Sequence, residues 1–142
     1  MIRRIQDEEL EEAIKLCFDI YIEETKFRKF ACNYDLFLKN YIDISFEYYL
    51  KNKSNYYGYY IDGLLVGVIE VNNNYINQLV VKKEYRNNNI GRELVGFIEK
   101  EIDSIEVDAF YSSIPFYEKL GFVSINSLIK EKNSVKMRKI KK

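Results

Sequence analysis

Two hydrophobic periods alternate along this chain, and the switches between them divide it into elements. Ile2 to Ile5 predicts a short strand. Leu10, Ala13, Ile14, Cys17, Phe18 and Tyr21 recur at helical spacing, which predicts a helix with Asp7 as its cap. Residues 22–32 break that period and predict an exposed connection. Asn33 then caps a second predicted helix to about Leu50, with Tyr34, Phe37, Leu38, Tyr41, Ile44, Tyr48 and Tyr49 as its apolar side. The period next shortens to two. Strands over residues 56–61 and 64–71 flank Asp62-Gly63, a tight-hairpin signal. Asn72-Asn-Asn74 is a second turn, and Ile76, Leu79, Val80 and Val81 form a β-branched run too short for a helix.

A polar turn, Arg86 to Gly91, leads from that run into an amphipathic helix carrying Ile90, Leu94, Val95, Phe97, Ile98 and Ile102. Residues 105–109 predict a strand parallel to the one at 76–81, because a helix crosses between them. Ser113-Ile-Pro115 starts a last helix, with proline tolerated in its first turn, and Gly121 ends it. Residues 122–125 and 134–140 predict two final strands joined through residues 130–133. The predicted order is β-α-α-β-β-β-α-β-α-β-β.

The turn at 86–91 carries chemistry. The first N–H groups of a helix lack internal partners, and the helix dipole adds partial positive charge there. A strand–turn–helix with residues that tolerate positive φ is therefore a ready anion site, suited to phosphate or pyrophosphate. Neither G-x-x-x-x-G-K-[ST] nor G-x-G-x-x-G is present. What stands there is Arg86-x-x-Asn89-x-Gly91, after a strand ending Leu79-x-Val81.

Composition narrows the field. The 142 residues suit one domain, residues 1–142, able to bury roughly two-thirds of its unfolded surface. Twenty-two basic residues balance 22 acidic ones, which argues against a module built to grip a nucleic-acid backbone. No histidine occurs, so histidine-based triads and histidine-ligated metals are excluded, and no metal is expected. Cys17 and Cys32 lack metal-site spacing and are too few for a disulfide framework. There is no signal peptide and no apolar run of about 18 residues, so the reading is a cytoplasmic protein without membrane contact. Abundant Lys, Asn, Ile and Tyr point to a low-GC bacterial genome.

The Arg86-x-x-Asn89-x-Gly91 turn resembles the acetyl-CoA-binding loop of the GNAT superfamily of N-acetyltransferases, Q/R-x-x-G-x-G/A. Asn89 departs from the usual glycine, mildly, because asparagine tolerates positive φ. Ile114-Pro-Phe-Tyr-Glu-Lys-Leu-Gly-Phe122 resembles the family's fourth-helix motif, F-Y-E-K-L-G-F. The two stand in the family's order, and the predicted element order matches it. The resemblance implies a single-domain α/β (α+β) GNAT fold, a mixed sheet of about seven strands flanked by four helices.

It also implies acetyl transfer from acetyl-CoA to a primary amine, on a small molecule or a peptide, by direct attack on the thioester. Backbone groups of Leu79, Val80 and Val81 are expected to bind the pantetheine arm and acetyl carbonyl. Arg86, the N–H groups of Asn87, Asn88, Asn89, Ile90 and Gly91, and Arg92 are expected at the pyrophosphate. Tyr117 takes the family's position for the general acid that meets the CoA thiolate. Free tyrosine has a pKa of about 10 and a thiol about 8.5, so full transfer is uphill by roughly 2 kcal/mol. The hydroxyl can still hydrogen-bond the sulfur as charge develops. For the base, Glu23, Glu24, Glu70 and Asp108 remain open. Glu23 and Glu24 are also expected to meet the acceptor, in a mixed-charge connection suited to a small zwitterionic amine. A non-catalytic acyl-CoA sensor or interaction module on the same fold is the alternative, as a monomer or homodimer.

Overall fold

The structure, a computed structural model, describes residues 1–25, 34–125 and 134–140, the side chains of residues 24 and 25 excepted. In chain order the elements are β1 (Ile2–Arg4), α1 (Leu10–Thr25), α2 (Tyr34–Lys51), β2 (Tyr56–Ile61), β3 (Leu64–Asn72), β4 (Tyr75–Val81), α3 (Ile90–Glu99), β5 (Ser104–Phe110), α4 (Ile114–Lys119), β6 (Val123–Ser124) and β7 (Ser134–Ile140). The seven strands form one sheet in the order β1-β2-β3-β4-β5-β7-β6. Every pairing is antiparallel except β4 with β5. This is the predicted α/β architecture.

β3 is the spine. Seven consecutive residues from Leu65 to Val71 are buried, because helices cover both faces of the sheet. One core holds Val66, Ile69 and Val71 against Ile90, Leu94, Val95 and Ile98 of α3 and Tyr117 of α4. The other holds Leu65 and Val68 against Leu10, Ala13, Ile14 and Cys17 of α1 and Tyr49 of α2. The Asp62-Gly63 hairpin takes φ of 50° and 80°, both positive as a tight two-residue turn of this sequence requires.

The sequence pattern misplaces several features. Asp7 does not cap α1; it sits in a short 3₁₀ turn, Asp7–Glu9, and pairs with Lys53 at 2.5 Å. The turn is closed by Glu9, whose Oε1 accepts the Gln6 N–H at 2.9 Å. The predicted connection at 22–32 begins too early: α1 runs on to Thr25, and Ile22 is buried in place of Tyr21, which is exposed. The inward face of α2 is Tyr41, Ile42, Phe46 and Tyr49. Phe37, Ile44 and Tyr48 lie off that face, and Ile44 is 82% exposed. α3 ends at Glu99, before Ile102, and Phe122 is a buried core residue ahead of a two-residue strand. Asn33, Cys32 and residues 130–133 lie outside the described residues. Among the described residues no helix is long and apolar enough to cross a membrane.

Glu9 ties β1, β2 and the start of α1 together. Its carboxylate accepts from Arg3 Nη1 and Nη2 at 2.9 and 2.8 Å and from the Tyr60 hydroxyl at 3.0 Å. The Arg3 guanidinium, above all, holds the Glu9 carboxyl down to about 2. A folded-state value below the unfolded one near 4.3 means the anion's stabilisation is full above that pH and is lost as pH falls toward 2. Glu9→Gln is therefore expected to lower the melting temperature at pH 7. In paired thermal scans the gap to the parent protein should narrow steadily between about pH 4.5 and pH 2. A gap that stays constant would show that the charge of Glu9 is not what holds this corner.

Candidate active site

The site originates in a register break. β3 and β4 pair in step from Gly67↔Val81 to Glu70↔Gln78, and then Val71 pairs with Ile76. Asn77 is thus an extra residue in β4, a bulge that flips the faces on either side of it. Before it, Ile76 packs in the α3 core; after it, Val80 packs in the α1 core. The bulge also bends β4 away from β5. Those two strands pair only at Tyr75↔Glu106 and Ile76↔Val107 and then diverge.

The divergence opens a cavity of about 340 Å³ lined by Gln78, Leu79 and Val80 on one side and Asp108, Ala109 and Phe110 on the other. A second cavity, about 670 Å³, lies between the α3 N-terminus and α4. The two share Ile20, Leu79, Val80, Ser113 and Tyr117 in their walls, so they form one channel with Tyr117 at the junction. A roomier hollow of about 770 Å³ beside α1 and residues 82–84 adjoins this channel through Ile20 and Glu23.

Arg86, Asn87, Asn89, Ile90 and Gly91 line the second cavity, whereas Asn88, expected with them, is not in its wall and donates from Nδ2 to the Tyr85 and Arg86 carbonyls at 3.1 and 3.4 Å. Asn89 has φ 64° and ψ 15°, in the left-handed region, and Asn87 has φ 68°. Two αL residues turn the chain so that α3 starts facing the cavity. The Asn89 carbonyl accepts the Glu93 N–H at 2.9 Å, which starts the helix. Among the described residues, no acceptor takes the N–H groups of residues 87–92. Gly91 lets α3 and α4 approach closely: a Cβ there would stand 3.0 Å from the Phe116 ring of α4, which would have to give by a few tenths of an ångström. The Ile90 side chain is buried in the core, so only its backbone faces the turn. Arg92 lines the cavity.

Arg86 makes a forked pair with Glu23, at 2.9 and 3.0 Å, while its Nε donates to the Val81 carbonyl at 3.2 Å. This brings Glu23 to the turn end of the channel and away from the β4–β5 gap. Glu24 falls in the last turn of α1, and its side chain lies outside the described residues.

Tyr117 is 5% exposed, held edge-on between Phe116 and Phe122 with ring centroids 5.0 and 5.2 Å away. Burial pushes its phenol above the ordinary tyrosine value, so at neutral pH it is a hydrogen-bond donor. Cys17 also lines the gap, but burial pushes its thiol up to about 12, which leaves it a core thiol and not a nucleophile.

One cluster escaped the sequence pattern. Glu70 is 1% exposed. Its Oε2 accepts the Tyr48 hydroxyl at 2.7 Å, and its Oε1 accepts Gln78 Nε2 at 3.0 Å. Gln78 Nε2 also donates to the Tyr49 hydroxyl at 3.2 Å. The Tyr56 hydroxyl is buried nearby without a hydrogen-bond partner among the described residues. The hydrogen bond to Glu70, with burial behind it, pushes the Tyr48 phenol up to about 12. Only the bulge at Asn77 puts Gln78 on the Glu70 face, and two-residue alternation carries no sign of it.

Residues 7–142 match the family model described as an acetyltransferase (GNAT) domain. The chain belongs to the GNAT acetyltransferase family, and it is an acetyl-CoA-dependent acyltransferase. Among solved structures it is similar to the PaiA N-acetyltransferase from Thermoplasma acidophilum, solved in complex with coenzyme A. That match has 21% identity and a TM-score of 0.73, over 99% of this chain and 98% of that one. It is also similar to a GNAT-family acetyltransferase from Staphylococcus aureus, at 21% identity and a TM-score of 0.72, over 100% and 99% of the two chains. At such identities the likeness is one of fold. No curated protein sequence matches the chain. Among the described residues no group of three or more His, Cys, Asp or Glu side chains could hold a metal ion.

The αL geometry at Asn89 gives a direct test. Glycine carries no Cβ penalty there, so Asn89→Gly should leave the melting temperature of the ligand-free protein unchanged or raise it slightly. Asn89→Val should cost about 1–2 kcal/mol in denaturant titrations, through the left-handed penalty on a β-branched side chain. Equal stability of the two variants would contradict the turn conformation.

Proposed function

We propose that the chain transfers the acetyl group of acetyl-CoA to a primary amine, with Tyr117 donating a hydrogen bond to the departing sulfur. The observation that carries this reading is the channel itself, with Tyr117 at the junction of its two halves. The half at the α3 N-terminus offers unpartnered N–H groups, a helix dipole and Arg92 to a pyrophosphate. Those groups fit that anion. Arg86 reaches it only by leaving Glu23, so the fork is a contact that the donor exchanges for phosphate oxygens.

The half between β4 and β5 takes the thioester end. Past Ile76 the β5-facing edge of β4 carries backbone groups without a strand partner at Leu79 and Val81, while Val80 bonds toward β3 and the Val81 carbonyl accepts from Arg86 Nε at 3.2 Å. These suit a pantetheine amide and the oxygen that gains charge as the amine attacks. In the reaction the nitrogen–carbon bond forms and the carbon–sulfur bond breaks. The ammonium gives up two protons to water in the gap and keeps one as the amide N–H; the thiolate takes up one, so one proton is released overall. Burial raises the Tyr117 phenol and makes outright transfer from it costlier than from free tyrosine. Its contribution is therefore a hydrogen bond to developing charge, with water as the eventual proton source.

Tyr117→Phe removes one hydroxyl and little packing. In a thiol-release assay against a broad amine panel with a no-amine control, turnover is expected to fall about 10²-fold while acetyl-CoA affinity persists. An unchanged rate would return Tyr117 to a packing role. Release no faster with any amine than without would favour a sensor that binds the donor without turnover.

A further inference from the structure

The acceptor half of the channel has walls of a definite chemistry. Besides Phe110 and the other strand residues, Ile20, Tyr21 and Tyr41 line it. Tyr21 and Phe110, which are 51% and 45% exposed, both contribute rings to its wall. Exposed rings converging on a concave site are the usual signature of a ligand surface. The cavity's volume, about 340 Å³, lies at the small end of ligand pockets, roughly 300–1,000 Å³.

Its charge is one-sided. Among the described residues that line it, Asp108 is the only charged one. The cations nearest in the sheet both pair with Glu106. Lys136, the cross-strand neighbour of Asp108, lies 3.5 Å from Glu106, and Arg138 lies 2.9 Å from the same carboxylate. Tyr75 stands beside Asp108, and its phenol is pushed up by burial first and by that carboxylate second.

Gln78 adds a directed acceptor. Both hydrogen bonds from its Nε2 are taken, one by Glu70 and one by Tyr49. That fixes which way the amide lies, because a carboxylate oxygen accepts and cannot donate to Oε1. The carbonyl Oε1 takes no hydrogen bond from a described residue, and Gln78 lines the gap. Glu70 therefore acts as a positioning residue: it holds the Gln78 amide with its oxygen available to an N–H group.

Resting on the acetyl-transfer reading, we infer that the acceptor is a small primary amine with an apolar or aromatic body and no carboxylate of its own. Its ammonium meets Asp108 and the Gln78 carbonyl, and its body lies against Tyr21, Tyr41 and Phe110. The zwitterionic acceptor expected from Glu23 and Glu24 is the competing case: Glu23 pairs with Arg86 at the other end of the channel, and the Glu24 side chain lies outside the described residues. An acceptor carboxylate would face the like charge of Asp108, and the described walls offer it no cation.

Three amines test this in the thiol-release assay. Phenethylamine and phenylalanine differ by one carboxylate, and phenethylamine and ethylamine differ by the ring. Phenethylamine is expected to exceed each of the others by at least tenfold in kcat/KM. Asp108→Asn and Gln78→Met should each raise the phenethylamine KM at least fivefold and leave the acetyl-CoA KM unchanged. A general loss of folding would move both constants. Phenylalanine or ethylamine performing as well as phenethylamine would overturn the inference. So would variants with an unchanged acceptor KM, or turnover found only with amino acids, peptides or polyamines; those outcomes leave acetyl transfer standing. Acetyl-CoA that neither binds nor reacts would instead remove the reading on which the inference rests.

Discussion

A single extra residue, Asn77, organises the functional half of this molecule. A sheet in which β4 and β5 paired along their length would be sealed, with no room for a ligand between them. The bulge ends that pairing after two residue pairs and leaves backbone N–H and C=O groups of β4 without a strand partner. Such groups cost about 1–3 kcal/mol each if buried and unsatisfied, so the gap is stable only wet or filled. Rigidity comes from elsewhere. β3 is buried on both faces and paired on both edges, which lets its neighbour β4 carry an incomplete ladder. The strand that anchors the core and the strand that carries the site are adjacent, and the bulge lies between them.

The same bulge couples a buried carboxylate to the channel. Glu70 has no cation within ion-pair distance among the described residues, an arrangement that is expensive unless hydrogen bonds replace the lost water. Tyr48 and Gln78 supply them. The result is a polar seam between α2 and β4 in an otherwise apolar layer. It fixes a side chain facing the gap, which is the kind of use that justifies a buried polar network.

Legibility in the sequence follows the range of the interactions. The stretch from Ile76 to Phe122 was readable because its signals are local: a β-branched run, αL-tolerant asparagines before a helix, proline at a helix start and glycine at its stop. Asn89 was expected in the left-handed region, and it lies there. The register break was not readable, because one added residue leaves composition and period nearly unchanged while it reverses every later side chain. Gln78 carries no signal of its own in the sequence, and its partnership with Glu70 depends on that reversal. Glu23 was read with its sequence neighbours, but a forked pair 63 residues away along the chain decides its place. On α2, aromatic residues occupy nearly every face, so periodicity could not say which of them α1 would cover.

The proposed acetyl-CoA site is the channel from the α3 N-terminus to the β4–β5 gap. Thermal unfolding with and without the ligand tests it most directly. Acetyl-CoA at a hundredfold excess over its dissociation constant should stabilise the fold by about 2.7 kcal/mol, and CoA should do nearly as well because both share the pyrophosphate and pantetheine. Arg92→Ala should shrink the shift for both ligands alike. A melting temperature unmoved by millimolar acetyl-CoA would contradict the claim.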